Sequence, residues 1–136
     1  MTTSNITVTI PCDIHKVWET ISAVETYSTW RSDVSKTEVI DEKQFIEYTK
    51  DGYETGFTVT VAVPYSQWEL EMENSHIKGR WTVAFASKGD ETELDITACA
   101  SAKGLSFRPV GQSVFERTYL KKGLERFEKD LKKLLG

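Results

Sequence analysis

Cysteine is scarce in this chain of 136 residues: Cys12 and Cys99 are the only two. That is too few for a disulfide scaffold. Histidine is equally scarce, with His15 and His76 alone. Cys12 and His15 stand at a C-x-x-H spacing, but no second pair completes a zinc site, so no metal and no cofactor is expected. The sequence also lacks a glycine-rich phosphate loop and a G-x-S-x-G nucleophile elbow. No apolar run approaches the roughly 20 residues that cross a bilayer, so membrane insertion is not expected. The opening residues Met1-Thr2-Thr3-Ser4-Asn5 have neither the basic nor the apolar region of a signal peptide. A basic excess is missing too: 17 Lys and Arg face 21 Asp and Glu, for a net charge of −4 and a pI near 5.3. Nucleic-acid partners need a clustered basic face, and none is present. These absences together give the expectation of a cytoplasmic protein with free thiols.

What the chain has is a long amphipathic segment, Val110 to Leu135. Val114, Arg117, Leu120, Lys121, Leu124, Phe127, Leu131 and Leu134 recur at steps of three and four, which predicts one mostly apolar stripe on a helix. Glu116, Lys122, Glu125, Arg126, Glu128, Lys129, Asp130, Lys132 and Lys133 are assigned to its solvated faces. Glu125 to Lys129 and Glu128 to Lys132 run in the favourable i,i+4 order. Ser113 and Glu116 have the spacing of a capping box, with Arg108-Pro109 as the approach. The helix would be roughly 35–40 Å long at 1.5 Å per residue.

The rest of the chain reads mainly as strands. Ile6, Val8 and Ile10 alternate with Thr7 and Thr9, and Pro11 ends that run. Asp13 is placed to cap a helix with Ile14, Val17, Trp18 and Ile21 on its apolar side. Ala23 to Trp30 predicts a shorter helical turn, and Arg31-Ser32-Asp33 the loop out of it. Strands are predicted over 34–41, 44–50 and 53–63, the last with Phe57, Val59, Val61 and Val63 on one face. Trp68, Leu70 and Met72 alternate with Gln67, Glu69, Glu71 and Glu73; Gly79, Trp81, Val83 and Phe85 share a face; Leu94, Ile96, Ala98 and Ala100 oppose Glu93, Asp95, Thr97, Cys99 and Ser101. The order is strand, two helices, six strands and one long helix, which predicts a single α+β domain over residues 1–136 with an antiparallel meander.

A twisted sheet curls, and a long helix in its concave face cannot touch every inward residue. A cavity is therefore expected between them, lined by Phe57, Val59, Trp68, Leu70, Trp81, Val83, Leu94 and Ile96, with Leu120 from the helix stripe. Gly123 costs about 1 kcal/mol inside a helix relative to alanine, and close approach to a bulky strand residue is preferred over cavity room as its reason. Arg117 either meets a ligand carboxylate or, as preferred here, sends its head to the rim. Glu69, Glu71, Glu73, Glu93 and Asp95 belong to the outer face by their alternation. Glu47 shares a face with Phe45. Inward, it is a buried carboxylate with a raised pKa and a polar handle for a ligand; outward, it is an edge charge. The outward facing is preferred because burying an unpaired charge is costly.

Several segments resemble landmarks of one family: Val17-Trp18, Tyr27-Ser28-Thr29-Trp30, Phe45-Ile46-Glu47-Tyr48, Gly79-Arg80-Trp81 and Thr92-Glu93-Leu94-Asp95-Ile96. With the closing helix they resemble the START/Bet v 1-like (SRPBCC) superfamily, in particular its polyketide cyclase/dehydrase-like branch. The resemblance implies a helix-grip fold, about seven strands wrapped around the C-terminal helix over an internal hydrophobic cavity. It also implies that Tyr27 and Trp30 border the pocket mouth. It implies binding or carriage of a small hydrophobic or amphipathic ligand, such as a lipid or polyketide. No catalytic constellation of the aromatase/cyclase members is matched. Two alternatives stand beside the binder: a cyclase/dehydratase-type enzyme using Glu47, Tyr48 or Tyr119, and a co-chaperone-like interaction module whose partner is unknown.

Overall fold

The computed structural model describes residues 1–103 and 109–136, with the side chains of the last helix described from Val114 onward. Strand β1 (Thr2–Ile10) leads through the Asp13 cap into α1 (Ile14–Ser22) and a 3-10 turn (Val24–Thr29). The Asp13 carboxylate accepts from the backbone N–H groups of His15 and Lys16, which satisfies two of the free donors at the helix start. Six strands follow: β2 (Lys36–Val39), β3 (Gln44–Tyr48), β4 (Glu54–Val63), β5 (Gln67–Glu73), β6 (Ile77–Lys88) and β7 (Glu91–Ala102). Helix α2 (Pro109–Leu135) closes the chain. All seven strands form one antiparallel sheet in the order β1-β7-β6-β5-β4-β3-β2. The α1 crossover thus carries the chain from one edge strand to the other, and the hairpins fill the space between.

Alternation along the strands builds the core. Val8 and Ile10 on β1, Val83 and Phe85 on β6, and Leu94, Ile96, Ala98 and Ala100 on β7 are buried together with Leu120, Leu124, Phe127 and Leu131 of α2. Gly79 on β6 is required by the sheet: a Cβ there would stand 2.3 Å from the Cys99 carbonyl oxygen of β7. The backbone of α2 runs closest to β1 and β7. The far half of the sheet, β3 to β6, is left with space above it.

The structure corrects several expectations. β2 and β3 are shorter than 34–41 and 44–50. On β4, Val59 pairs with Leu70 but Val61 pairs with Glu69, so a bulge at Thr60 reverses the facing of the residues beyond it. Val61 therefore shares the side of Glu69, and Val63 is exposed. The stripe of α2 is also rotated from the predicted one. Val114, Arg117, Lys121 and Leu134 are exposed, while Glu116 and Asp130 are buried. Each buried acid has backbone donors to satisfy it. Glu116 accepts from Thr2 Oγ1 and from the Ala102 N–H at 2.7 Å. Asp130 accepts from the Ser32 N–H at 2.8 Å and from Ser32 Oγ at 2.9 Å. Polar residues counted as solvated by type are here pins that fix α2 to β1, β7 and the segment after the 3-10 turn. Helix α2 already begins at Pro109, so Ser113 lies inside it and not at its cap, while Arg108 lies outside the described residues.

Candidate functional site

The space above β3–β6 is a cavity of about 330 Å³. Tyr27, Phe57, Trp68, Leu70, Trp81 and Val83 border it, and Ile21, Met72, Gly123 and Phe127 complete its apolar wall. The wall is built by period two along β4, β5 and β6. Phe57 pairs with Met72, Leu70 with Trp81, and Trp68 with Val83, so each pair turns the same face to the hollow. Gly123 sits opposite Trp81, whose Cζ2 lies 3.6 Å from where a Cβ would be. That is ordinary contact distance, so close approach does not demand glycine, and the residue gives the cavity its room.

The other residues expected at the cavity lie off its wall. Leu94 and Ile96 are completely buried on β7, where α2 comes closest and leaves no gap. Leu120 faces the same packed side. Val59 packs against the core from just before the bulge. Trp30 stands edge-on to Tyr27 and Phe127, with ring centroids 5.5 and 5.8 Å away, and borders an outer groove instead. Arg117 is exposed.

One end of the cavity is polar, and it is organised around Arg31, a residue the sequence reading left in a loop. Its side chain is only 12 % exposed. Nε and Nη2 donate to the two carboxylate oxygens of Asp33 at 3.2 and 3.0 Å. Its guanidinium carbon lies 5.1 Å from the Tyr27 ring centre and 5.4 Å from that of Phe127, a favourable placement for a cation. Nη1 stands 3.6 Å from the Glu47 carboxylate. Burial disfavours charge on Arg31, but Glu47 and Asp33 outweigh it and hold the guanidinium more firmly protonated than usual. Tyr27 is anchored in turn, its hydroxyl donating to the Ile21 carbonyl at 2.5 Å.

Glu47 faces inward with Phe45, contrary to the outward preference. Its side chain is 12 % exposed and borders the cavity. Burial pushes its carboxyl up to about 7, with Arg31 offsetting part of that rise. The preference failed because it priced Glu47 as an unpaired charge, whereas Arg31 supplies a counter-charge from a distant part of the chain. The available signal was Arg31-Ser32-Asp33 itself: an arginine two residues from an acid and four from an aromatic is equipped to be buried. Tyr119 on α2 also borders the cavity, and burial, with Tyr53 nearby, pushes its hydroxyl up to about 12. Across the mouth, Lys122 and Arg126 of α2 stand on exposed positions. The result is an apolar hollow with a fixed ion-pair cluster at one end and a carboxyl that changes charge near neutral pH.

The profile of the family described as polyketide cyclase / dehydrase and lipid transport matches residues 1–132. The chain belongs to this family. Among solved structures, a conserved protein from Geobacillus kaustophilus is similar at 17% identity and a TM-score of 0.82, covering 98% of this chain and 95% of that one. A START superfamily protein from Mycobacterium smegmatis is similar at 17% identity and a TM-score of 0.79, covering 98% and 96%. The Zhui aromatase/cyclase from a Streptomyces species matches at 14% identity and a TM-score of 0.79, covering 98% and 93%. Identities this low establish a shared helix-grip fold and nothing of ligand or chemistry. No curated protein matches the chain in sequence. Among the described residues, no helix is long and apolar enough to cross a membrane.

Proposed function

We propose that this protein binds or carries a small apolar or amphipathic molecule, a lipid, polyketide or similar compound, in the cavity between β3–β6 and α2. The observation that carries the reading is the cavity of about 330 Å³ walled by aromatic and aliphatic side chains and closed at one end by Arg31 and Glu47. Small-ligand sites are typically concave, mostly apolar and furnished with a few polar groups. Affinity would come from burying apolar ligand surface, about 25 cal/mol per Å² before ordering costs. The free thiols of Cys12 and Cys99 fit a reducing cytoplasmic setting. Trp68 and Trp81 border the cavity and serve as reporters. Fatty acids, flavonoids and related compounds are expected to quench tryptophan fluorescence saturably, and the response should fall sharply when Trp68 and Trp81 are both replaced by phenylalanine. A flat response across a broad hydrophobic library refutes the binder.

The cyclase/dehydratase reading gains support from one observation: Glu47 reaches the cavity beside Arg31 with its carboxyl near 7. A group that titrates near the working pH is well matched to general acid–base catalysis. Turnover of a polyketide-like substrate that survives replacement of Glu47, Tyr48 and Tyr119 together by alanine would remove this alternative. The interaction-module reading depended on a filled interior, and a cavity of this size speaks against it.

A further inference from the structure

The chemistry at the polar end restricts the head group that this cavity takes. Arg31 presents its Nε/Nη2 edge to Asp33 and turns Nη1 to Glu47, with the rings of Tyr27 and Phe127 against it. Asp33 takes two of the five N–H donors of Arg31, and Nη1 faces Glu47 from beyond hydrogen-bond distance. Among the described residues Glu47 is the group left without a donor: its carboxylate accepts no hydrogen bond, and its contact with Nη1 at 3.6 Å is an ion pair longer than a hydrogen bond. A carboxylate has about four acceptor sites, and those of Glu47 lie at the cavity wall. Thr55 stands directly across from Glu47 on β4 and borders the same space. Its Oγ1 accepts from Asn74 Nδ2 at 3.1 Å, which leaves its own proton to donate.

Charged head groups fit poorly here. A ligand carboxylate seated between Glu47 and Thr55 has no proton to give Glu47 and would lie against it as a like charge, with Asp33 also bordering the cavity. An ammonium would lie against Arg31, with Lys122 and Arg126 also bordering the cavity. An uncharged hydroxyl meets neither repulsion: it donates to Glu47 and accepts from Thr55. We infer that the cavity selects an apolar molecule bearing a neutral hydroxyl, an alcohol or phenol, with that hydroxyl seated between Glu47 and Thr55. The inference rests on the cavity being a ligand site.

Calorimetric titration with naphthalene, 2-naphthol and 2-naphthoate at pH 7.5 tests it, since the three differ only in head group. The wild-type protein is expected to bind 2-naphthol at least about tenfold tighter than 2-naphthoate, and tighter than naphthalene by a similar factor. Glu47→Leu should bring 2-naphthol and naphthalene to within about threefold of each other while naphthalene binding persists. Glu47→Gln keeps an acceptor and the volume, so an intermediate preference is expected; it stands in if the leucine variant fails to fold. Equal or tighter binding of 2-naphthoate, or a hydroxyl preference unchanged in both variants, overturns the head-group assignment alone. Failure of all three compounds to bind overturns it together with the binding reading.

Discussion

Glu47 makes the stability of this protein depend on pH in a direction opposite to that of most paired carboxylates. Its carboxyl titrates at about 7 in the folded chain against an ordinary value of 4.5. Between those two values the native state holds a proton that the unfolded state has released. Stability therefore falls as pH rises through this window. Below pH 4.5 the contribution is fully present, and above about pH 7 it is gone. At about 1.4 kcal/mol per pH unit, the most this shift supplies is about 3 kcal/mol. Glu47→Gln keeps the side-chain volume and removes the titration. Urea unfolding of both proteins should give similar free energies near pH 4.5. From there the variant should become progressively more stable than the wild type, by about 2–3 kcal/mol at pH 8. The difference between the two curves isolates Glu47 from every other titrating group. Two curves that stay parallel from pH 4.5 to 8 would refute the inward, desolvated placement of this carboxyl. A wild type that gains on the variant at high pH would show that Arg31 more than compensates for burial. The cost itself is intelligible: a carboxyl kept half-ionised in an apolar hollow is useful to a ligand and expensive to the fold.

Asp33→Ala leaves the buried Arg31 guanidinium with Glu47 alone, and an unfolding free energy lower by about 2 kcal/mol is expected from denaturant titration. Gly79→Ala forces a methyl group to 2.3 Å from the Cys99 carbonyl. It should cost at least about 3 kcal/mol or prevent folding, read as loss of the cooperative thermal transition. Gly123→Ala meets only Trp81 Cζ2 at 3.6 Å, so the helix should gain up to about 1 kcal/mol, while bulky cavity ligands bind more weakly because the wall has moved inward.

The elements were legible in the sequence because each carries a strong period. Leu120, Leu124, Phe127 and Leu131 mark α2, and Trp68, Leu70 and Met72 mark β5, at spacings that leave little choice of structure. The failures have a common physical origin: they concern residues whose environment is set by a remote partner. The run Thr58-Val59-Thr60-Val61-Ala62-Val63 alternates without interruption, so nothing local announces the bulge at Thr60; the register of β5 imposes it. Glu116 and Asp130 read as solvated by type, yet Ala102 and Ser32 bring backbone donors to them. Leu94 and Ile96 were candidates for the cavity wall on the same grounds as Trp68 and Leu70, and sequence cannot separate the two sets. What separates them is the lateral position of α2, which rests over β1 and β7 and leaves the hollow above β3–β6. Asp130, gripping Ser32 just beyond Arg31, ties α2 to the segment that carries the cavity's charged end. The acid that periodicity assigned to solvent is thus part of what holds the polar end of the hollow beside the helix.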